Sequence, residues 1–174
     1  YVKVLHFLFQ YNVENIEILN EGERAGLRIT KRFKNSTIVQ SIYLYNNIDK
    51  IDFENFIDWK ESHLILKTAF PVDVNTNKAT YDIQFGSVER PTHKNTSWDA
   101  ARFEVCAHKY CDLSEYGYGV SLINDCKYGH AIHDGVMSLT LLKCGTFPDP
   151  DADKCEHYFT YSLFPHAGDY REAG

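Results

Sequence analysis

The feature that most limits the fold is an alternation of apolar and polar residues with period two, nearly continuous along the chain and interrupted by turns. Side chains that fall on one face at every second position belong to extended strands; a helix would bring them back at every third and fourth. Leu27, Ile29 and Phe33 oppose Arg28, Thr30 and Arg32. Thr37, Val39, Ser41, Tyr43 and Tyr45 oppose Ile38, Gln40, Ile42 and Leu44. Both of those faces are substantially apolar, as expected for a strand between two packed layers. Ile51, Phe53, Ile57 and Trp59 oppose Asp52, Glu54 and Asp58, which predicts one dry and one wet face. Leu64, Leu66, Thr68, Phe70, Val72 and Val74 mark one face of another run, and Pro71 predicts its end at an edge or bulge. Tyr81, Ile83 and Phe85 make a further strand; residues 102–105 and 118–123 resume the pattern. Val136, Ser138, Thr140 and Leu142, then His157, Phe159, Tyr161 and Leu163, complete it. About nine short strands with almost no helix predict an all-β, antiparallel β-sandwich. Neither an internal repeat nor a linker divides the chain, so residues 1–174 read as one domain.

Charge and length narrow the function. A net charge of -6 and a pI of about 5.7 argue against a nucleic-acid partner or an anionic membrane surface, both of which want clustered Lys and Arg. The apolar stretch at residues 2–9 is broken by Lys3 and His6 and is far short of the ~20 residues of a membrane span. The five cysteines, Cys106, Cys111, Cys126, Cys144 and Cys155, are odd in number and contain no Cys-x-x-Cys. They predict buried or half-buried free thiols in a reducing compartment rather than a disulfide scaffold or zinc knuckle. The chain begins with Tyr, and both ends read as those of a piece of a longer protein.

Chemistry is sought where the alternation stops. Residues 89–101 form the longest irregular segment, with Arg90, Pro91, His93, Asn95, Trp98 and Asp99, and long loops in compact domains often carry function. Residues 118–129 begin as a strand and change character at Asn124-Asp125-Cys126-Lys127, a turn with two ions. An ordinary solvated turn has the same composition. Glu89, Asp99 and Asp125 are candidate carboxylates for glycoside hydrolysis, which needs a pair ~5 to 9.5 Å apart, but nothing in their spacing makes them converge. His130 and His133 are spaced for one helical face, yet Gly129 and Gly135 beside them predict a turn. No zinc site is expected, because three or four suitable ligands are not in sequence register. Trp98 and Tyr128 could stack on a sugar, although loop aromatics tend to be partly buried anchors, the expectation for Trp98.

The stretch Gly-Val-Ser-Leu-Ile-Asn-Asp-Cys-Lys-Tyr-Gly at residues 119–129 closely resembles a signature of the C-terminal β-domain of glycoside hydrolase family 38 α-mannosidases, particularly the cytosolic and bacterial type. The block Glu89-Arg90-Pro91-Thr92-His93-Lys94-Asn95-Thr96-Ser97-Trp98-Asp99 is similar as well. So are Ala107-His108-Lys109, Asp112-Leu113-Ser114-Glu115, Pro148-Asp149-Pro150 and Tyr161-Ser162-Leu163-Phe164-Pro165-His166. The likeness runs from about residue 15 to the end of the chain; residues 1–10 find no place in it.

The resemblance implies a fragment of a large supersandwich of the galactose-mutarotase-like type, packed behind a catalytic domain. It implies a retaining enzyme acting on α-mannoside oligosaccharides, in which the nucleophile and the His and Asp ligands of a zinc or other divalent ion lie in the N-terminal catalytic domain. The expectation is therefore no catalytic residue and no metal site in this chain. Lys127 matches a basic position that contacts substrate in the family, with Asn124 and Asp125 orienting it or binding hydroxyls. More distant members carry Arg there, and Lys offers a point charge where Arg offers a planar fork. The residue 89–101 loop is expected at the same rim. The implied partners are the mannoside and the catalytic domain, with a homo-oligomer as a further expectation; the implied compartment is the cytoplasm. Two other classes fit a β-sandwich: a stand-alone carbohydrate-binding or lectin-like module, and a purely structural domain.

Overall fold

In the computed structural model the described residues are 3–6 and 12–173. Of the unplaced N-terminal residues, only the backbone of 3–6 is among them. The chain runs in order through β1 (Lys3–His6), β2 (Asn12–Asn20), β3 (Arg24–Phe33), β4 (Ser36–Tyr45), β5 (Ile51–Asp58), β6 (Leu64–Pro71), β7 (Lys78–Ile83) and β8 (Gly86–Pro91). It continues through α1 (Ser97–Ala101), β9 (Val105–Cys106), β10 (Tyr110–Glu115), β11 (Tyr118–Asn124), β12 (Gly129–His133), β13 (Val136–Lys143), β14 (Glu156–Ala167) and α2 (Tyr170–Ala173). The fold is an all-β sandwich of antiparallel sheets, as the alternation predicts. β1 pairs with β6 in parallel, Lys3 opposite Leu64 and His6 opposite Lys67.

Contacts divide the chain into two compact units, Tyr1–Thr68 with Thr140–Tyr161, and Ala69–Leu139 with Ser162–Gly174. In the first, β2, β3, β4 and β5 lie side by side, followed by the first half of β14. Pairing Ile38 with Ile57 across β4 and β5 places two fully buried side chains on one face. Each such burial is worth roughly 1.5–3 kcal/mol. On that face Gln40 Nε2 donates to Asn55 Oδ1 at 3.0 Å and to Tyr161 Oη at 2.9 Å, and Phe53 stacks on Tyr161 at 5.0 Å. The opposite face of β5 is less wet than its sequence predicts. Asp52 is buried against Tyr45 and Lys50, and Glu54 accepts from Arg24 at 2.7 Å. Paired ions let acidic residues stand on a half-covered face.

In the second unit the order is β14 (second half), β11, β10, β7, β8, with β12 paired to β9. Register Cys111↔Leu122 and Leu113↔Val120 sends four apolar side chains to one side of β10 and β11, all buried. Register Asp112↔Ser121 and Tyr110↔Ile123 sends polar and aromatic side chains to the other. Two sequence expectations are corrected in this unit. The residue 89–101 segment is not irregular throughout: β8 runs to Pro91, and α1 is started by a capping box in which Thr96 accepts from the Asp99 N–H and Asp99 accepts from the Thr96 N–H. Residues 129–133 are a strand rather than a turn, lying between β13 and β9 with Gly129 and His130 in register with Cys106 and Val105. Alternation then turns His130 and His133 to opposite faces, so they cannot share a ligand.

Candidate functional site

The turn after β11 is held by Asn124. Its backbone N–H donates to the Lys109 carbonyl at 2.9 Å and its side-chain amide to the His108 carbonyl at 2.9 Å. Its Oδ1 accepts the Lys127 N–H at 2.7 Å. With Asn124 only 4% exposed, its side chain works as a backbone clamp, the behaviour that makes Asn a turn residue. Asp125 and Cys126 are exposed and Lys127 is half-buried. Lys109, one strand over, donates its ammonium to the Asp125 carbonyl at 3.0 Å and its backbone N–H to Asp82 at 2.9 Å. The turn is therefore tied at both sides before any ligand arrives. Burial raises the Cys126 thiol, and a hydrogen bond with Asp125 adds to the shift, so the thiol stays protonated beside the acid.

Tyr128 is half exposed and meets the His108 ring edge-on at 5.7 Å. Trp98 is 77% exposed, which overturns the expectation of a buried anchor: it rides on the short, solvent-exposed α1, none of whose residues is buried. The nominated carboxylates are each engaged separately. Glu89 pairs with Lys78 at 3.0 Å on the surface. Asp99 caps α1, and the Thr96 hydroxyl lowers its carboxyl. Asp125 stays in its turn. The loop between β8 and α1 bonds to Asn77, Thr76 and His133.

Sequence reasoning missed a second constellation behind the turn. Asp112, 2% exposed, accepts from Ser121 Oγ at 2.7 Å, from His166 Nε2 at 2.8 Å and from Ser114. Gly119 makes room for it: a Cβ there would overlap Ser114 Oγ and stand 2.8 Å from His166 Nε2. Each member was visible only as part of a separate sequence block, and strand register is what joins them. His130 is also buried, with Cys111 Sγ 3.2 Å from its Nδ1 and the Asn124 amide 3.5 Å from its Nε2; desolvation lowers its pKa to about 4. Of the cysteines, all free, Cys111 and Cys144 are buried as expected, while Cys106, Cys126 and Cys155 are exposed. Among the described residues no group of three or more His, Cys, Asp or Glu is arranged to hold a metal ion, and no helix is long and apolar enough to cross a membrane.

The fold is that of a glycosidase sandwich. The chain superimposes on an α-mannosidase from Enterococcus faecalis V583 with a TM-score of 0.78 over 92% of this chain and 23% of that one, at 18% identity. The chain belongs to the family described as the glycosyl hydrolases family 38 C-terminal domain, whose model matches residues 5–151. That match starts among the residues left unplaced by sequence reading and stops ahead of the Tyr161 to His166 block. The chain is 46% identical over 158 residues to alpha-mannosidase 2C1 of Homo sapiens, covering 88% of this chain and 15% of that protein. It is 46% identical over 139 residues to alpha-mannosidase G of Dictyostelium discoideum, covering 80% of this chain and 13% of that protein. The chain therefore spans about one seventh of the length of these relatives.

Proposed function

We propose that this chain is the sandwich portion of a retaining, metal-dependent α-mannosidase that removes terminal α-mannose from oligosaccharides in the cytoplasm. It supports a catalytic domain located elsewhere in the longer protein and lends Lys127 to the wall of the sugar pocket. Family membership and the two relatives support the substrate class. The observation that carries the pocket role is the Asn124 clamp: an oxygen 2.7 Å from the Lys127 N–H fixes the backbone from which the ammonium departs. A charged donor on a fixed stem can hydrogen-bond a sugar hydroxyl without first ordering its own loop. Asp125 stands beside it as an acceptor. The nucleophile and the zinc belong to the rest of the enzyme in this reading. Among the described residues no set of His, Cys, Asp or Glu fits a metal.

The test is Lys127→Ala in the full-length enzyme, assayed on an α-mannoside. Loss of one charged hydrogen bond is expected to lower kcat/KM roughly tenfold or more, equivalent to about 1.5–3 kcal/mol, with Lys127→Arg recovering part of it. An unchanged kcat/KM would remove Lys127 from the pocket and leave the chain a purely supporting domain.

A further inference from the structure

A cavity of about 290 Å³ opens within the second unit, lined by Lys109, Tyr110, Ser121, Ile123, Phe164 and Tyr170. It lies on the face of β10 and β11 that carries Asp112, beside the tied turn but built from different side chains. The Tyr110 and Tyr170 rings approach to 5.5 Å at 40°, and Tyr170 is held in place by its hydroxyl on Ser87 at 3.3 Å. Three aromatic rings and one aliphatic side chain form its apolar wall. Its polar groups are few and directional. Ser121 Oγ has committed its proton to Asp112, so it faces a ligand as an acceptor only. Lys109 gives one N–H to the Asp125 carbonyl, and an ammonium has three.

We infer that this cavity is a second carbohydrate position, for one pyranose ring of an oligosaccharide, distinct from the Lys127 position. The inference rests on the reading of the chain as part of an α-mannosidase. A pyranose presents a face of C–H groups, which aromatic rings cover, and an edge of hydroxyls that both donate and accept. Ser121 Oγ accepts a hydrogen bond from one sugar hydroxyl, and the Lys109 ammonium donates one to another hydroxyl's oxygen. The volume lies at the low end of ligand pockets, which suits one ring rather than an extended chain. The Asp112–His166–Ser121 bonds are the support behind it: they set the direction of the Ser121 proton without reaching the ligand. Because Lys109 also holds the Asp125 carbonyl, occupancy here is felt at the turn.

The experiment is a titration of the 174-residue chain with α-1,2-mannobiose, followed by amide chemical shifts, whose dispersion also reports folding. Saturable shifts at Tyr110, Ser121, Ile123 and Phe164 are expected. Tyr170→Ala and Lys109→Ala should each weaken binding roughly tenfold, the equivalent of ~1.4 kcal/mol, while Lys127→Ala leaves it unchanged. Shifts confined to residues 124–127 and abolished by Lys127→Ala would overturn the inference and leave the proposed function standing. A folded chain with no saturable shift would also overturn it, whatever Lys127→Ala does to the full-length enzyme.

Discussion

His130 and His166 are buried in the same unit, and their surroundings could hardly differ more. His130 sits on β12 against the Cys111 thiol, the Asn124 amide and the Lys127 backbone, none of them charged, and burial drives its pKa to about 4, so it is neutral at ordinary pH. His166 sits on β14 against the carboxylate of Asp112, itself held by two serine hydroxyls. The pair teaches that burial alone does not assign a histidine its work; the charge of its partner does. One fills space as a polar core residue, and the other closes a charged network behind the aromatic cavity.

The largest effect should come from breaking the charged side. Asp112→Ala removes the acceptor of three donors and leaves Ser114, Ser121 and His166 Nε2 unpaired in a buried site, at a cost of roughly 3–5 kcal/mol in urea denaturation, about 1–3 for each group left unsatisfied. A loss under about 1 kcal/mol, the scale of an exposed pair, would mean that the network is ornamental.

The neutral side makes a pH prediction. The folded pKa of His130 lies below its unfolded value of about 6.5, so between the two the unfolded chain holds a proton that the folded chain lacks. Stability from this group is complete above pH ~6.5 and falls as pH drops toward about 4, by roughly 3 kcal/mol in total. Denaturation at stepped pH should show this slope in the native chain, and subtracting the profile of His130→Gln should isolate it. Parallel profiles would place the titration elsewhere.

Asn124 touches both the turn and His130. Asn124→Ala leaves the His108 carbonyl and the Lys127 N–H unpaired and should cost roughly 1–3 kcal/mol, with amide exchange at Lys127 speeding up before global unfolding. Retained protection at Lys127 would show that the Lys109 tie holds the turn unaided. The smallest effect is expected at α1, none of whose residues is buried. Thr96→Ala removes the cap of α1, worth about 1 kcal/mol locally, and should leave the global denaturation midpoint unchanged while the α1 amides exchange faster.

The fold class was legible because period-two alternation states a strand and its buried face at once. It gave β3 to β5 and the apolar side of β11. It failed at β12: Gly135 does lie in a turn, but residues 129–133 before it are a strand between β13 and β9, and no local signal encodes that pairing. It failed at β5 in the other direction: Asp52 and Glu54 read as solvated until Lys50 and Arg24 are seen beside them. The turn at Asn124 was legible from its residues, since Asn-Asp-Cys-Lys follows an apolar run and precedes a Gly. The Asp112 cluster was not, since its members lie up to 54 positions apart and only register brings them together. Trp98 was misread because a large aromatic is buried on average, and a five-residue helix has no face wide enough to bury one.

Gly117 and Gly119, two positions apart, are fixed for unlike reasons. Gly117 has φ +87° and open space around it; Gly119 has no room for a Cβ. In a library that randomises both codons and selects for folded protein, the first should keep Asn and Asp alongside Gly, since those residues tolerate the left-handed region. The second should return glycine alone. Sequence drift along this hairpin is thus limited at one point by a dihedral angle and at the next by volume, and only the first limit can be relaxed one residue at a time.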